Sequence, residues 1–120
     1  MTKEDKELLI KDLCERLLYN VKVLYNNKVF NVDYISAIYE EIKLDIPDNY
    51  TIDISDVKPY LFPLSSMTEE QKSQYNFYLT RIVFAYDASL LIDWLNKNHF
   101  DYRGLIEKEL AIDATGLNVY

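Results

Sequence analysis

The spacing of apolar residues defines the first element. Ile10, Leu13, Cys14 and Leu17 recur at i, i+3, i+4 and i+7, which is one face of a helix. Lys6, Lys11, Asp12 and Glu15 fall on its other faces. Thr2 is placed to cap this helix, with Glu4 and Asp5 in the first turn against its dipole. The pattern predicts a helix over residues 4–18, ending before Asn20, a residue that tolerates the left-handed conformation of a helix end. Cys14 on the apolar stripe is expected to be a buried, inert thiol.

From Val21 the period changes to two. Val21–Tyr25 and Val29–Val32 are rich in β-branched and aromatic residues, and Asn26-Asn27 between them suits a tight hairpin turn. Further strands are predicted over Tyr39–Ile46 and Tyr50–Ile54, with Pro47-Asp48-Asn49 as the turn between them. Val57–Leu64 contains Pro59 and Pro63, which hold the residues before them extended. This segment is expected to cross and plug the open end of the sheet, or else to form an exposed apolar docking strip.

The second half reads as helical. Thr68-Glu69-Glu70-Gln71 is a capping box, and a helix is expected from about 69 to 80. Residues 81–86 fit helix, strand or linker. Asp87 is expected to cap a further helix with Leu90, Leu91, Trp94 and Leu95 as its apolar stripe, ending near Asn98. The tail from Phe100 to Tyr120 is apolar enough to pack on the body. Together these elements give an α+β fold in one domain over residues 1–120. It has an N-terminal helix, a small antiparallel sheet or SH3-like partial barrel, and C-terminal helices with a docked tail.

Composition supports one core without staples. The chain has 120 residues, of which 49% are hydrophobic and 28% charged, enough for a single domain to bury its own core. The single cysteine excludes an intramolecular disulfide. The N-terminal residues are charged where a secretory signal is apolar, and the longest apolar runs fall short of the roughly 20 residues a membrane span needs, so a cytoplasmic location is expected. The net charge is −7, with 13 basic against 20 acidic residues and no basic run. This opposes binding to generic nucleic acid or to an anionic membrane.

Catalytic chemistry finds little to work with. His99 and Cys14 are the only residues of their kinds, too few for a structural zinc site and placed without a triad pattern. Two glycines do not make a phosphate-cradling loop. Asp45, Asp48, Asp53 and Asp56 lack the central Gly and final Glu of a calcium loop and read as a solvated turn. No cofactor and no metal is expected. Eleven tyrosines suit a sheet and half-buried positions, or an interface. The densest polar and aromatic run is Asp93–Ile106. Its Asn96, Asn98, His99, Asp101, Tyr102 and Arg103 are the candidate interaction residues. The alternative is a helix end closed by its own bonds, with His99 at the negative end of the dipole and Arg103 paired to Asp101 or Asp93.

Two segments carry a resemblance, Lys58–Glu70 (KPYLFPLSSMTEE) and Ile92–Ile106 (IDWLNKNHFDYRGLI), together with the tail Leu110–Ala114 and the hairpin around Val21–Val32. They resemble a family of small uncharacterised proteins of gut Bacteroidales genomes, prophages and phages. The resemblance covers most of the chain except residues 75–88, and it implies a glycine where this chain has Glu109. It further implies a bacterial or phage cytoplasmic setting, and it carries over no catalytic residue. The function expected is a non-enzymatic protein-interaction module, an accessory factor of a phage or mobile element that binds a host protein. The alternatives are an inhibitor of host antiviral defence, acting by occluding a protein or sequestering a nucleotide signal, and a small carboxylate-dependent enzyme. The sequence leaves open whether the chain also forms a homo-oligomer.

Overall fold

The computed structural model describes residues 1–46 and 50–120. The expected turn at Pro47-Asp48-Asn49 lies outside the described residues. The fold is α+β, with an N-terminal helix, a mixed sheet of several strands and C-terminal helices. No helix among the described residues is long and apolar enough to cross a membrane.

Helix α1 spans Lys3–Arg16 and continues as a 3-10 turn over Leu17–Tyr19. Thr2 Oγ1 accepts the Asp5 N–H at 3.0 Å, and Asp5 in turn accepts the Thr2 N–H. Asn20 ends the turn in the left-handed conformation, φ 57°. The buried face differs from the expected one. It is made of Leu9, Ile10, Asp12, Leu13 and Arg16, and Cys14 is exposed. Asp12 and Arg16 sit one turn apart and neutralise each other, so a charged pair extends the buried face on the Leu9 and Leu13 side, away from Cys14 and Leu17. Cys14 lies about 100° around the helix from Leu13, beyond the Ile10 edge of that face.

Strands β1 (Lys22–Tyr25) and β2 (Lys28–Ser36) form the expected hairpin. Both turn residues have positive φ, 51° at Asn26 and 61° at Asn27, as a primed hairpin turn requires. Strand β2 then pairs with β3 (Glu41–Leu44) through a one-residue irregularity between Val32 and Tyr34, and β3 pairs with β4 (Ile52–Asp53). Both of these strands are shorter than the alternation suggests, because Tyr39 stays in the preceding turn, largely exposed, and Ile54 starts a 3-10 turn.

The largest revision concerns Val57–Leu64. Lys58–Pro63 is strand β5, inside the sheet, and Pro59, Tyr60 and Leu61 are buried. It pairs antiparallel with β1 and parallel with two short strands from the tail, β6 (Phe100–Asp101) and β7 (Ile112–Asp113). Neither the plug nor the exposed docking strip describes it. The prolines stand at or next to the strand's ends, where a missing N–H costs least, and the apolar residues between them face the core. The tail therefore docks as sheet, and the sheet is mixed rather than wholly antiparallel.

Helix α2 (Glu69–Leu79) starts at the predicted capping box. Thr68 Oγ1 accepts the Gln71 N–H at 3.1 Å, and Gln71 Oε1 accepts the Thr68 N–H at 2.9 Å. A turn over residues 80–84 leads to helix α3 (Ala85–Lys97). Phe84 occupies the capping position instead of Asp87. The Asp87 carboxylate reaches back from the first turn to accept the Val83 and Phe84 N–H groups at 3.1 and 2.9 Å. Of the α3 stripe, Leu91 and Leu95 are buried, Trp94 is half-buried and Leu90 is exposed.

Two cores result. In the larger, Leu9, Ile10 and Leu13 of α1 pack on Val23, Ile42, Leu44 and Leu61 of the sheet, closed by Leu105 and Leu110. In the smaller, Met67, Leu91, Leu95 and Phe100 are covered by Trp94, Tyr75 and Tyr78. No residue of α2 is fully buried.

Glu109 has φ 62°, the left-handed conformation that glycine adopts without cost. The backbone at Glu109 thus follows a path that a glycine would take without strain. Its neighbours hold it there, Leu110 N–H and Ala111 N–H both donating to Leu105 O at 2.9 and 3.2 Å. We expect Glu109→Gly to stabilise the fold by about 0.5–1 kcal/mol, as the relief of strain exceeds the added freedom of the unfolded chain. An unchanged or lower denaturation midpoint would count against this conformation.

Candidate functional site

The candidate residues begin where α3 ends. Asn98 closes the helix twice, its N–H and its side-chain Nδ2 both donating to Trp94 O at 3.1 and 2.9 Å. His99 then takes φ 61° and turns the chain into β6, its N–H donating to Asn96 O. Its own carbonyl accepts the Phe62 N–H at 2.8 Å, which pins the turn to β5. The imidazole stacks on the Tyr120 ring, 3.6 Å between centroids and 12° between planes. Tyr120 Oη donates to Tyr60 O at 2.7 Å and accepts the Lys22 N–H at 3.0 Å. It thus bridges β1 and β5 where the two strands stop pairing.

His99 is not the protonated residue expected at the negative end of the helix dipole. Burial, and then the positive charges of Arg16 and Lys22, push its pKa down to about 4. Burial also raises the Tyr120 phenol to about 12. Both rings are therefore neutral at pH 7.

The remaining candidates turn inward. Asp101 does not pair with Arg103. Its two oxygens accept the Leu105 and Ile106 N–H groups at 3.0 and 2.9 Å and so close the turn through Gly104. Asn96 is buried, and its Oδ1 lies 2.8 Å from Tyr102 Oη, which is also 3.0 Å from Glu15 Oε2. One phenolic proton thus serves two acceptors. Arg103 donates to Asp12 Oδ1 at 2.8 Å and, through Nη2, to Glu15. These partners on α1 replace the local Asp93 or Asp101.

Asp12 is also held by Arg16, whose Nε and Nη2 donate to its two oxygens at 2.8 and 3.1 Å. Arg16 Nη2 donates further to Phe100 O at 2.6 Å. The two guanidinium carbons lie 5.3 and 4.6 Å from the centroid of the Tyr102 ring, within cation–π range. Burial raises the Glu15 pKa, but hydrogen bonds from Arg103 and Tyr102 and the Arg103 charge outweigh it and leave the carboxyl lowered. Opposing burial, Glu15 and Asp12 hold Arg103 firmly protonated. Two carboxylates and two guanidiniums make this cluster electrically balanced.

Sequence reasoning missed Asp12, Glu15 and Arg16. The available signal was an acid and a base four residues apart, on the same face as Leu9 and Leu13. Among the described residues, the buried side-chain polar atoms left without a hydrogen-bond partner are Arg16 Nη1 and His99 Nδ1.

Only part of the candidate set meets open space. A hollow of about 550 Å³ lies between α2 and α3, lined by Ser73, Gln74, Phe77, Tyr78, Trp94, Lys97 and Asn98. A second, of about 390 Å³, is lined by Lys97, Asn98 and His99 with Phe62, Ser66, Thr68, Gln71, Phe100, Thr115 and Gly116. The two share Lys97 and Asn98. Asn98 and His99 therefore face a groove, whereas Asn96, Asp101, Tyr102 and Arg103 line neither hollow.

Asp45 and Asp53, two of the aspartates considered for calcium chemistry, hold the backbone instead. Asp45 accepts from the Asn31 N–H and side chain, and Asp53 from the Ser55 N–H and hydroxyl. Asp48 lies outside the described residues. Among the described residues no three His, Cys, Asp or Glu side chains are grouped so as to hold a metal ion. The chain matches no family model, no curated protein and no solved structure.

Arg103→Ala should lower stability by about 3 kcal/mol, because it leaves buried Asp12 and partly buried Glu15 short of positive charge. Arg103→Lys, which keeps the charge but not the two-pronged geometry, should fall between. Equal denaturation midpoints for all three proteins would show the cluster to be energetically idle.

The His99 shift also predicts a pH dependence. Its folded pKa, about 4, lies below the ordinary imidazole value of 6.5, so between these pH values the unfolded chain binds a proton that the folded chain does not. Stability contributed by neutral His99 is then fully present above pH 6.5 and is lost as pH falls toward 4. His99→Asn, which tolerates the same positive φ, should flatten the fall in melting temperature over that window. A slope equal to that of the unmodified chain would refute the buried, neutral imidazole.

Proposed function

We propose that this chain is a non-enzymatic protein-interaction module that seats a segment of a partner protein in the groove at the end of α3. The observation that carries this reading is the pair of adjoining hollows sharing Lys97 and Asn98. One side offers the rings of Phe77, Tyr78 and Trp94. The other offers hydroxyl and amide groups from Thr68, Gln71 and Asn98. An apolar floor with a few fixed polar groups is how binding sites combine affinity with orientation. A single cation, Lys97, suits a partner that brings a carboxylate or a carbonyl. Asp12, Glu15 and Asp101 are already committed to guanidinium or backbone donors, which speaks for binding rather than acid–base turnover by these three.

The resemblance to proteins of gut Bacteroidales, their prophages and phages supports a setting in which the partner is a bacterial host protein and the chain is an accessory factor of a phage or mobile element. The smaller hollow favours a second reading, sequestration of a nucleotide signal in antiviral defence. There Lys97 and several hydroxyls lie beside the Phe62 and Phe100 rings, a combination that suits phosphate and base.

Lys97→Glu and Gln74→Arg change exposed groove residues without touching either core. Both should keep the melting temperature and weaken capture of the host partner by about ten-fold or more. Calorimetric titration with a nucleotide panel separates the two readings, because saturable binding lost in Lys97→Glu favours sequestration. Full partner capture by both variants, with no nucleotide bound, would remove the groove as the site.

A further inference from the structure

The helical hairpin formed by α2, the turn and the start of α3 keeps much of its apolar surface in solvent. Seventeen large hydrophobic residues are exposed among the described residues, and seven of them lie between 77 and 90. They include Phe77, exposed by 54%, Val83 by 76%, Phe84 by 74% and Tyr86 by 72%. Helix α2 leans on α3 through the half-buried Tyr75 and Tyr78 and buries no residue completely. The molecule is drawn out to 45 × 31 × 25 Å with a radius of gyration of 14.8 Å, above the roughly 13.5 Å usual for a chain of this length.

We propose that this hairpin face is where two copies of the chain associate about a two-fold axis. Area is the first reason. Phe77 lines the groove between α2 and α3 and lies under the Arg81 guanidinium, 3.8 Å from its ring centroid, so the free face is carried by the rings further on. At about 200 Å² per ring, Phe84 and Tyr86, exposed by 74% and 72%, together expose roughly 300 Å². The aliphatic side chains beside them bring the face to roughly 500–600 Å². That is at the upper end of the largest apolar patch of a typical monomer, roughly 300–600 Å². It approaches the roughly 800 Å² that each partner contributes to a standard interface.

Charge is the second reason, and it selects the occupant. The chain carries −7, yet residues 77–90 hold one cation, Arg81, and one anion, Asp87. A locally neutral face lets two acidic copies meet without like charges opposed, and it offers no acidic rim to attract a basic foreign protein. A two-fold relation makes the face its own complement, so Arg81 of each copy can approach Asp87 of the other. Two hairpins packed this way form a four-helix arrangement, which would bury the free side of α2.

The test is the mass of the full chain by sedimentation equilibrium across a concentration series, with two variants. The unmodified chain should reach twice 14.2 kDa. Phe84→Asp should weaken the self-association by about a hundred-fold or more. This variant places a favoured capping residue at the start of α3, so its melting temperature, measured at a dilution where both proteins are monomeric, should hold or rise. Loss of dimer then cannot be ascribed to unfolding. Leu18→Asp, at an exposed position on the far element, should leave the dimer intact. A mass of 14.2 kDa at every concentration overturns the proposal, as does a dimer indifferent to Phe84→Asp. A monomer whose capture of a host protein is abolished by Phe84→Asp assigns the face to that protein and overturns it too.

Discussion

The chain that leaves α3 is tied to α1 by one buried ion cluster. Asp12 and Arg16 lie one turn apart on α1, on the face that packs against the sheet, and both side chains are fully buried. Arg16 reaches across 84 residues of sequence to the carbonyl of Phe100, and Arg103 returns to Asp12 from the turn beyond. Isolated charges would be expelled from such a position, and an apolar replacement of similar volume would often be as stable. What the cluster contributes is geometry. A guanidinium with its donors in a fixed fork accepts one placement of β6 relative to α1. Since β6 and β7 pair with β5, the same placement sets the C-terminal edge of the sheet.

The candidate site inherits its shape from this arrangement. Asn96 and Tyr102 read as surface polar residues in the linear sequence, but the Tyr102 hydroxyl is held between Glu15 and Asn96. Only Asn98 and His99 of the candidate set are left to face the groove. His99 is confined from behind by Tyr120, which is itself anchored at the seam between β1 and β5. Each wall of the groove therefore rests on an element that serves the fold as well, so changes at the walls must be read for stability before they are read for binding.

The parts of the structure that were legible in the sequence are those fixed by neighbours in the chain. The Thr2 cap, the Thr68 capping box, the Asn26-Asn27 turn and the helix stripe through Leu91 and Leu95 depend on residues a few positions apart. The parts misread depend on distant partners. Cys14 reads as buried because the charged pair Asp12 and Arg16 is invisible until Arg103, 91 residues from Asp12, is brought to it. Strand β5 reads as a segment crossing the sheet's end because two prolines normally argue against a central strand, and its parallel partners lie about 40 to 50 residues further on. The Asp93–Ile106 segment was located as the densest polar stretch, but which of its residues point outward follows from α1 and not from the segment itself.

The late pairing of β5 has a consequence for synthesis on the ribosome. Tyr60–Pro63 has its strand partners only in β6 and β7, so this stretch must wait, unpaired and apolar, while about 40 further residues are translated. A bare strand of that kind is a template for pairing with other nascent chains. Pro59 and Pro63 lack backbone N–H groups, and a strand short of two donors is a poor template. The same prolines that disguise β5 in the sequence protect it during the interval before its own partners exist.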